Sequence, residues 1–118
     1  MKTIKKQLKL PKNDYYTKHL SIVNVFLPVS LTPKEIEVLA SFMSLEGDIA
    51  NERFGTTARK MVMRELGVKP GGLGNYLKSL QGKGFLIKDE VEKFKIHSML
   101  YPELTTQNYM FQLLRVNE

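Results

Sequence analysis

A glycine and a proline three residues apart constrain this chain more than any other feature, in the stretch Leu66-Gly67-Val68-Lys69-Pro70. Glycine just past the last turn of a helix accepts the left-handed conformation that ends it. Proline fits the first position of a helix and breaks its interior. The pair predicts one helix stopping, a tight turn at Val68-Lys69, and another helix starting at Pro70. Met61, Val62, Glu65 and Leu66 set a helical period over 58–66, behind a cap at Thr57. Leu73, Tyr76, Leu77 and Leu80 set a second one from Pro70 to about Lys83.

The flanks extend the pattern. Thr32, Pro33 and Glu35 spell a capping box with proline at the first helical position. Leu31 can staple onto Ile36. The helix behind them buries Ile36, Leu39, Phe42 and Met43, turns Glu37 to water and stops near Glu46-Gly47. Residues 46–56 read as a loop with room for one short turn. Further upstream, Tyr16, Leu20, Val23 and Leu27 recur at helical spacing, so a leading helix is expected at about 15–27. The β-branched Ile22, Val23 and Val25 would also suit a strand. Residues 1–13 read as a basic arm interrupted by Pro11. After Gly82 and Gly84 the period shortens: Phe85-Leu86-Ile87 is apolar, and Phe94, Ile96 and Ser98 alternate with Lys95, His97 and Met99. Residues 109–116 form a further β-rich run, with 102–108 as its connection. The expected fold class is α+β, three to four helices followed by a β-hairpin, with residues 14–118 as one domain.

Charge is segregated along the chain. Residues 53–88 hold eight basic side chains against Glu65 alone, a local charge of +7. Residues 1–20 carry +5, residues 31–52 carry −4 and residues 89–118 carry −2, within a net +6. Two basic blocks separated by an acidic one predict a directed surface and a nucleic-acid partner. The chain of 118 residues is 42% hydrophobic, enough for one modest core. It has no 18-residue apolar run, so neither a membrane span nor a secretory leader is expected. Zero cysteines exclude disulfides and thiolate metal sites and fit a cytoplasmic location.

The stretch LGVKPGGLGNYLKSLQGKGFLIKD, Leu66 to Asp89, resembles the winged helix-turn-helix superfamily of bacterial and phage DNA-binding proteins. The glycine turn, the apolar Val62, Leu66, Val68, Leu73 and Tyr76 around it, and a Lys-Gly pair before an apolar strand carry the likeness. Met63 departs from it, standing where the superfamily usually has a small residue. The proline-containing connection near the end also resembles winged domains of plasmid and phage replication initiators. The resemblance implies a double-stranded DNA binder whose second helix enters the major groove.

On that helix Asn75, Lys78 and Ser79 are the expected base contacts. Arg59, Lys60, Arg64, Lys69, Gly71, Gly72 and Lys83 are the expected phosphate contacts. Gly71 and Gly72 either bare the backbone for a phosphate or delay the helix start to Leu73. Glu65 is expected to pair with a neighbouring base. The arm lysines Lys2, Lys5, Lys6, Lys9 and Lys12 either follow the DNA or form a solvated tail. Lys88, Lys93 and Lys95 share the hairpin with Asp89, Glu90 and Glu92, whose acids argue against DNA reading there. The helix at 15–27 is the expected homodimer contact.

Enzyme signatures are missing. His19 and His97 stand apart and read as packing residues, no H-E-x-x-H, Walker A or G-x-S-x-G occurs, and no cofactor is expected. Gly71-Gly72-Leu73-Gly74 spells a KH-type loop, but in the wrong order of elements. Three roles stay open: a small transcriptional regulator, a replication-initiation factor, or a winged-helix scaffold for other proteins without sequence-specific DNA binding.

Overall fold

Lys12 opens the first helix, immediately behind Pro11. The computed structural model describes residues 2–117. Helix α1 spans Lys12–Val23 and tightens into a 3-10 turn at Asn24–Phe26. Pro11 thus starts the helix, since its fixed φ suits a helix entry. Asn24 closes the next corner: its side-chain amide donates to the Leu31 carbonyl and its oxygen accepts from the Leu31 N–H, at 3.0 and 2.7 Å.

Helix α2, Pro33–Met43, carries the predicted capping box: the Glu35 N–H donates to the Thr32 hydroxyl and the Thr32 N–H to the Glu35 carboxylate. It ends at Met43, earlier than expected, where the Arg53 guanidinium donates to the carbonyls of Phe42 and Leu45 at 2.6 and 3.1 Å. A single turn, α3 at Asp48–Asn51, fills the predicted loop.

Helices α4, Thr56–Leu66, and α5, Pro70–Gly82, are the predicted pair. Gly67 sits at φ +63° and both its own N–H and that of Val68 donate back to the Met63 carbonyl. That left-handed stop needs glycine. Helix α4 begins at Thr56 behind Gly55, so Thr57 lies inside the helix and does not cap it. Gly84, at φ +83°, ends α5 and turns the chain into the hairpin.

The hairpin pairs β1, Leu86–Lys88, with β2, Phe94–Ile96, antiparallel, Leu86 opposite Ile96. The fold class is α+β, with five helices ahead of a two-stranded hairpin. Residues 109–116 form no strand, and 102–108 connect none. The hairpin keeps a free edge on each strand, but the run does not pair with either. Tyr109 instead donates from its hydroxyl to His19 on α1, and Tyr15 donates to the Glu103 carbonyl at 2.8 Å.

One core joins these elements. Phe42, Leu39 and Val38 from α2 meet Leu20, Val62, Leu73, Leu77, Leu80, Phe85 and Leu100. Helix α1 lies between α2 and the C-terminal segment. Tyr16 and Leu20 face the core, while Tyr15 and His19 hold the segment. Asp14, Lys18 and Ser21 are left as an open edge, and it is polar.

Candidate nucleic-acid interface

The buried stripe of α5 determines its free face. With Leu73, Leu77 and Leu80 inward, Gly71, Asn75, Lys78 and Gly82 fall along the outermost line, with Gly74 beside it, and all are exposed. Gly71 and Gly72 both lie inside the helix, which starts at Pro70, so its start is not delayed to Leu73. They differ in environment. A methyl group at Gly72 would lie 3.3 Å from Val68 Cγ1, so close packing of the turn accounts for that glycine. A methyl group at Gly71 or Gly74 would meet nothing within 4 Å. Nothing in the fold requires those two, although each weakens the helix by roughly 1 kcal/mol relative to alanine. The N–H groups of Gly71 and Gly72 precede the first intrahelical bond and have no side-chain cap at Lys69.

Two expected contacts are committed elsewhere. The Ser79 hydroxyl donates to Glu35 at 2.8 Å, and the Lys83 ammonium donates to Glu35 at 2.6 Å and to the Ser30 carbonyl at 2.8 Å. Glu35 is 2% exposed. Burial alone would raise its pKa, but Lys83, the Thr32 N–H and Ser79 outweigh that and hold it below the usual carboxylate value. Ser79 and Lys83 therefore anchor α5 to the start of α2 and are not positioned as free donors. The sequence signal for Glu35 was its capping box, which hides this second role.

The basic side chains of α4 split between two faces. Lys60 and Arg64, four apart, share one exposed face. Arg59 turns away: its Nε donates to the Phe54 carbonyl at 2.8 Å. It lines a crevice of about 270 Å³ with Glu92, Lys93 and Phe94 of the hairpin. Glu65 accepts from Ser41 at 2.7 Å and from Asn13, so its expected basic partner is replaced by two polar ones. Among the described residues Lys60, Arg64, Lys69 and Lys78 carry no ion pair.

Most of the hairpin's charges are paired or hydrogen-bonded. Lys88 pairs with Glu92 at 3.7 Å and Lys93 with Glu52 at 2.7 Å, while the Asp89 carboxylate ties down the tip by accepting from the N–H groups of Val91 and Lys93. Only Lys95 of its lysines has no ion pair among the described residues. In the arm, Lys2, Lys5, Lys6 and Lys9 are exposed, whereas Lys12 has joined α1 and pairs with Glu46 at 3.1 Å.

Both histidines are structural. His19 is buried, its Nε2–H donating to the Leu100 carbonyl at 2.9 Å and its Nδ1 accepting from Tyr109 at 2.7 Å. His97 lies just past β2 and caps the 3-10 turn Ser98–Leu100, accepting from the Met99 N–H. No helix among the described residues is long and apolar enough to cross a membrane. No protein-family model, curated protein or solved structure matches the chain.

Proposed function

We propose that this chain is a winged helix-turn-helix protein that binds double-stranded DNA and acts as a small bacterial or phage transcriptional regulator. One observation carries the reading: the outer line of α5 is bare or polar, with Asn75 and Lys78 between Gly71 and Gly82, and the fold itself makes no demand for Gly71 or Gly74. A helix entering a major groove needs such a face, because small residues let its backbone approach the duplex. Asn75 suits an adenine edge and Lys78 a guanine or a phosphate. Lys69 and the uncapped N–H groups of Gly71 and Gly72 suit a phosphate at the helix start. Lys60 and Arg64 suit the backbone crossed by α4. The paired lysines and acidic tip of the hairpin favour a wing that stays off the bases.

Selection of bound sequences from a random duplex library tests this reading, with affinity for random duplex measured at two salt concentrations. A selected motif together with a steep loss of affinity at high salt is the expected result. An absence of enrichment and a flat salt response would instead support a protein-interaction scaffold, a reading favoured by the exposed apolar residues of the C-terminal segment.

A further inference from the structure

One face of the molecule is apolar and uncovered. It lies where the C-terminal segment passes α1 and the 3-10 turn that follows it. Met110 and Leu113 are 94% and 96% exposed, and Phe26 is 64% exposed. Phe111 stacks on Phe26 with ring centroids 5.1 Å apart, yet both remain more than half exposed. Beside the stack runs a groove of about 540 Å³, lined by Ile22, Val23, Phe26 and residues 108–113.

We propose that this face joins two copies of the chain in a two-fold symmetric dimer, Met110 and Leu113 of each copy seated in the groove of the other. Three observations favour a second copy as the occupant. The first is area: Phe26, Met110, Phe111 and Leu113 around the groove leave roughly 500 Å² in solvent, the larger part of the ~800 Å² that each partner gives a standard interface. The second is self-complementarity. A two-fold contact needs projections and a recess on the same patch, and this patch has both. A cavity of about 150 Å³ already admits benzene, so this groove has room for the two side chains. The third is charge. Arg115 is the sole charged residue from Asn108 to Asn117, so two copies meet without burying like charges at the centre.

Tyr15 and His19 tie the segment down at Glu103 and Tyr109, ahead of the projections, which shortens the stretch left to order on association. Lys5, Lys6 and Lys9 stand at the rim beside Asn108 and Tyr109. Their mutual repulsion is screened by salt, so dimerisation should strengthen as salt rises. DNA binding responds to salt in the opposite sense.

Sedimentation equilibrium of the full chain without DNA, across the micromolar range, tests the proposal independently of any DNA reading. The expected result is a dimer that tightens with salt. Met110→Glu and Leu113→Glu should each give monomers with unchanged helical circular dichroism, since both side chains stand almost wholly in solvent. Val91→Glu on the hairpin, at a site 69% exposed, should remain dimeric. A parent chain that is monomeric at every concentration overturns the proposal, whatever else then covers the groove. So does a dimer that neither glutamate disturbs, or an open-ended series of larger species.

Discussion

Glu35 accepts from three donors, the Thr32 N–H, Ser79 and Lys83, while almost out of contact with water. Glu35→Ala would leave Ser79 and Lys83 without their shared partner, and a loss of about 2–3 kcal/mol in urea unfolding is expected. Its lowered pKa fixes the sign of one acid response. The contribution is present above the ordinary carboxylate range and is lost as pH falls through the depressed folded value. His19 gives another. Burial, partly opposed by the bond to Leu100, lowers its pKa, so the fold prefers the neutral ring. Above about pH 6.5 the ring is neutral in both states. Below that the unfolded chain takes up the proton first, so stability should fall. His19→Gln should flatten unfolding free energy against pH in that window, and an unchanged slope there would show that His19 does not report on folding. Asn75→Ala addresses function at the same scale. It should reduce preference at one position of a selected site by roughly 1–3 kcal/mol and leave random-duplex affinity nearly unchanged. The sequence made some of these roles legible and concealed others. The Thr32–Glu35 spacing announces a cap within one turn, whereas Ser79 and Lys83 lie 44 and 48 residues away, beyond the reach of any local pattern.

At the scale of elements, α4 and α5 were readable because their signals are local. Glycine ends one helix, proline starts the next, and the apolar period says which faces go inward. Gly67→Ala should cost about 1–2 kcal/mol, because alanine resists the left-handed stop. Gly71→Ala and Gly74→Ala should do the reverse. Their helical backbone tolerates a Cβ and the space beside each is open, so a gain of about 0.5–1 kcal/mol apiece is expected in thermal or urea unfolding. If α5 lies in a groove, the same substitutions should weaken DNA binding while stabilising the protein. A gain in stability with unchanged affinity would remove the argument from bare backbone. The run at 109–116 shows where local reading fails. Its composition suits a strand, but strand formation depends on the rest of the chain bringing the run alongside a partner strand. The hairpin is short, the chain leaves β2 through the 3-10 turn Ser98–Leu100, and Tyr109 is drawn to His19. A composition that would have filled a sheet is left as an exposed apolar surface.

Across the whole molecule, charge and apolar surface occupy different places. Lys60, Arg64, Lys69 and Lys78, the exposed cations of α4, α5 and the turn between them, stand outside the apolar groove, which follows α1 and the C-terminal segment. The radius of gyration, 16.2 Å against about 13.5 Å for a compact chain of this length, shows that the molecule is not drawn into one ball. The N-terminal arm carries both kinds of residue and lies beside α1 and the C-terminal segment. Lys2, Lys5, Lys6 and Lys9 are free to follow phosphates, while Leu8 and Leu10 line a recess shared with His19 and Tyr109. Deleting the arm would therefore mix two effects. Replacing only the four lysines by alanine separates them, because Leu8 and Leu10 stay in place. If the lysines contact DNA, affinity should fall for all duplex sequences alike. The slope of log affinity against log salt should become shallower by up to about 3.6, at 0.9 for each lost contact. Replacing Lys60 and Arg64 should remove up to about 1.8 more. Replacing Leu8 and Leu10 by serine should leave that slope unchanged, since no phosphate contact is lost. An unaltered salt slope in the four-lysine variant would make the arm a solubilising segment and leave DNA affinity to α4 and α5 alone.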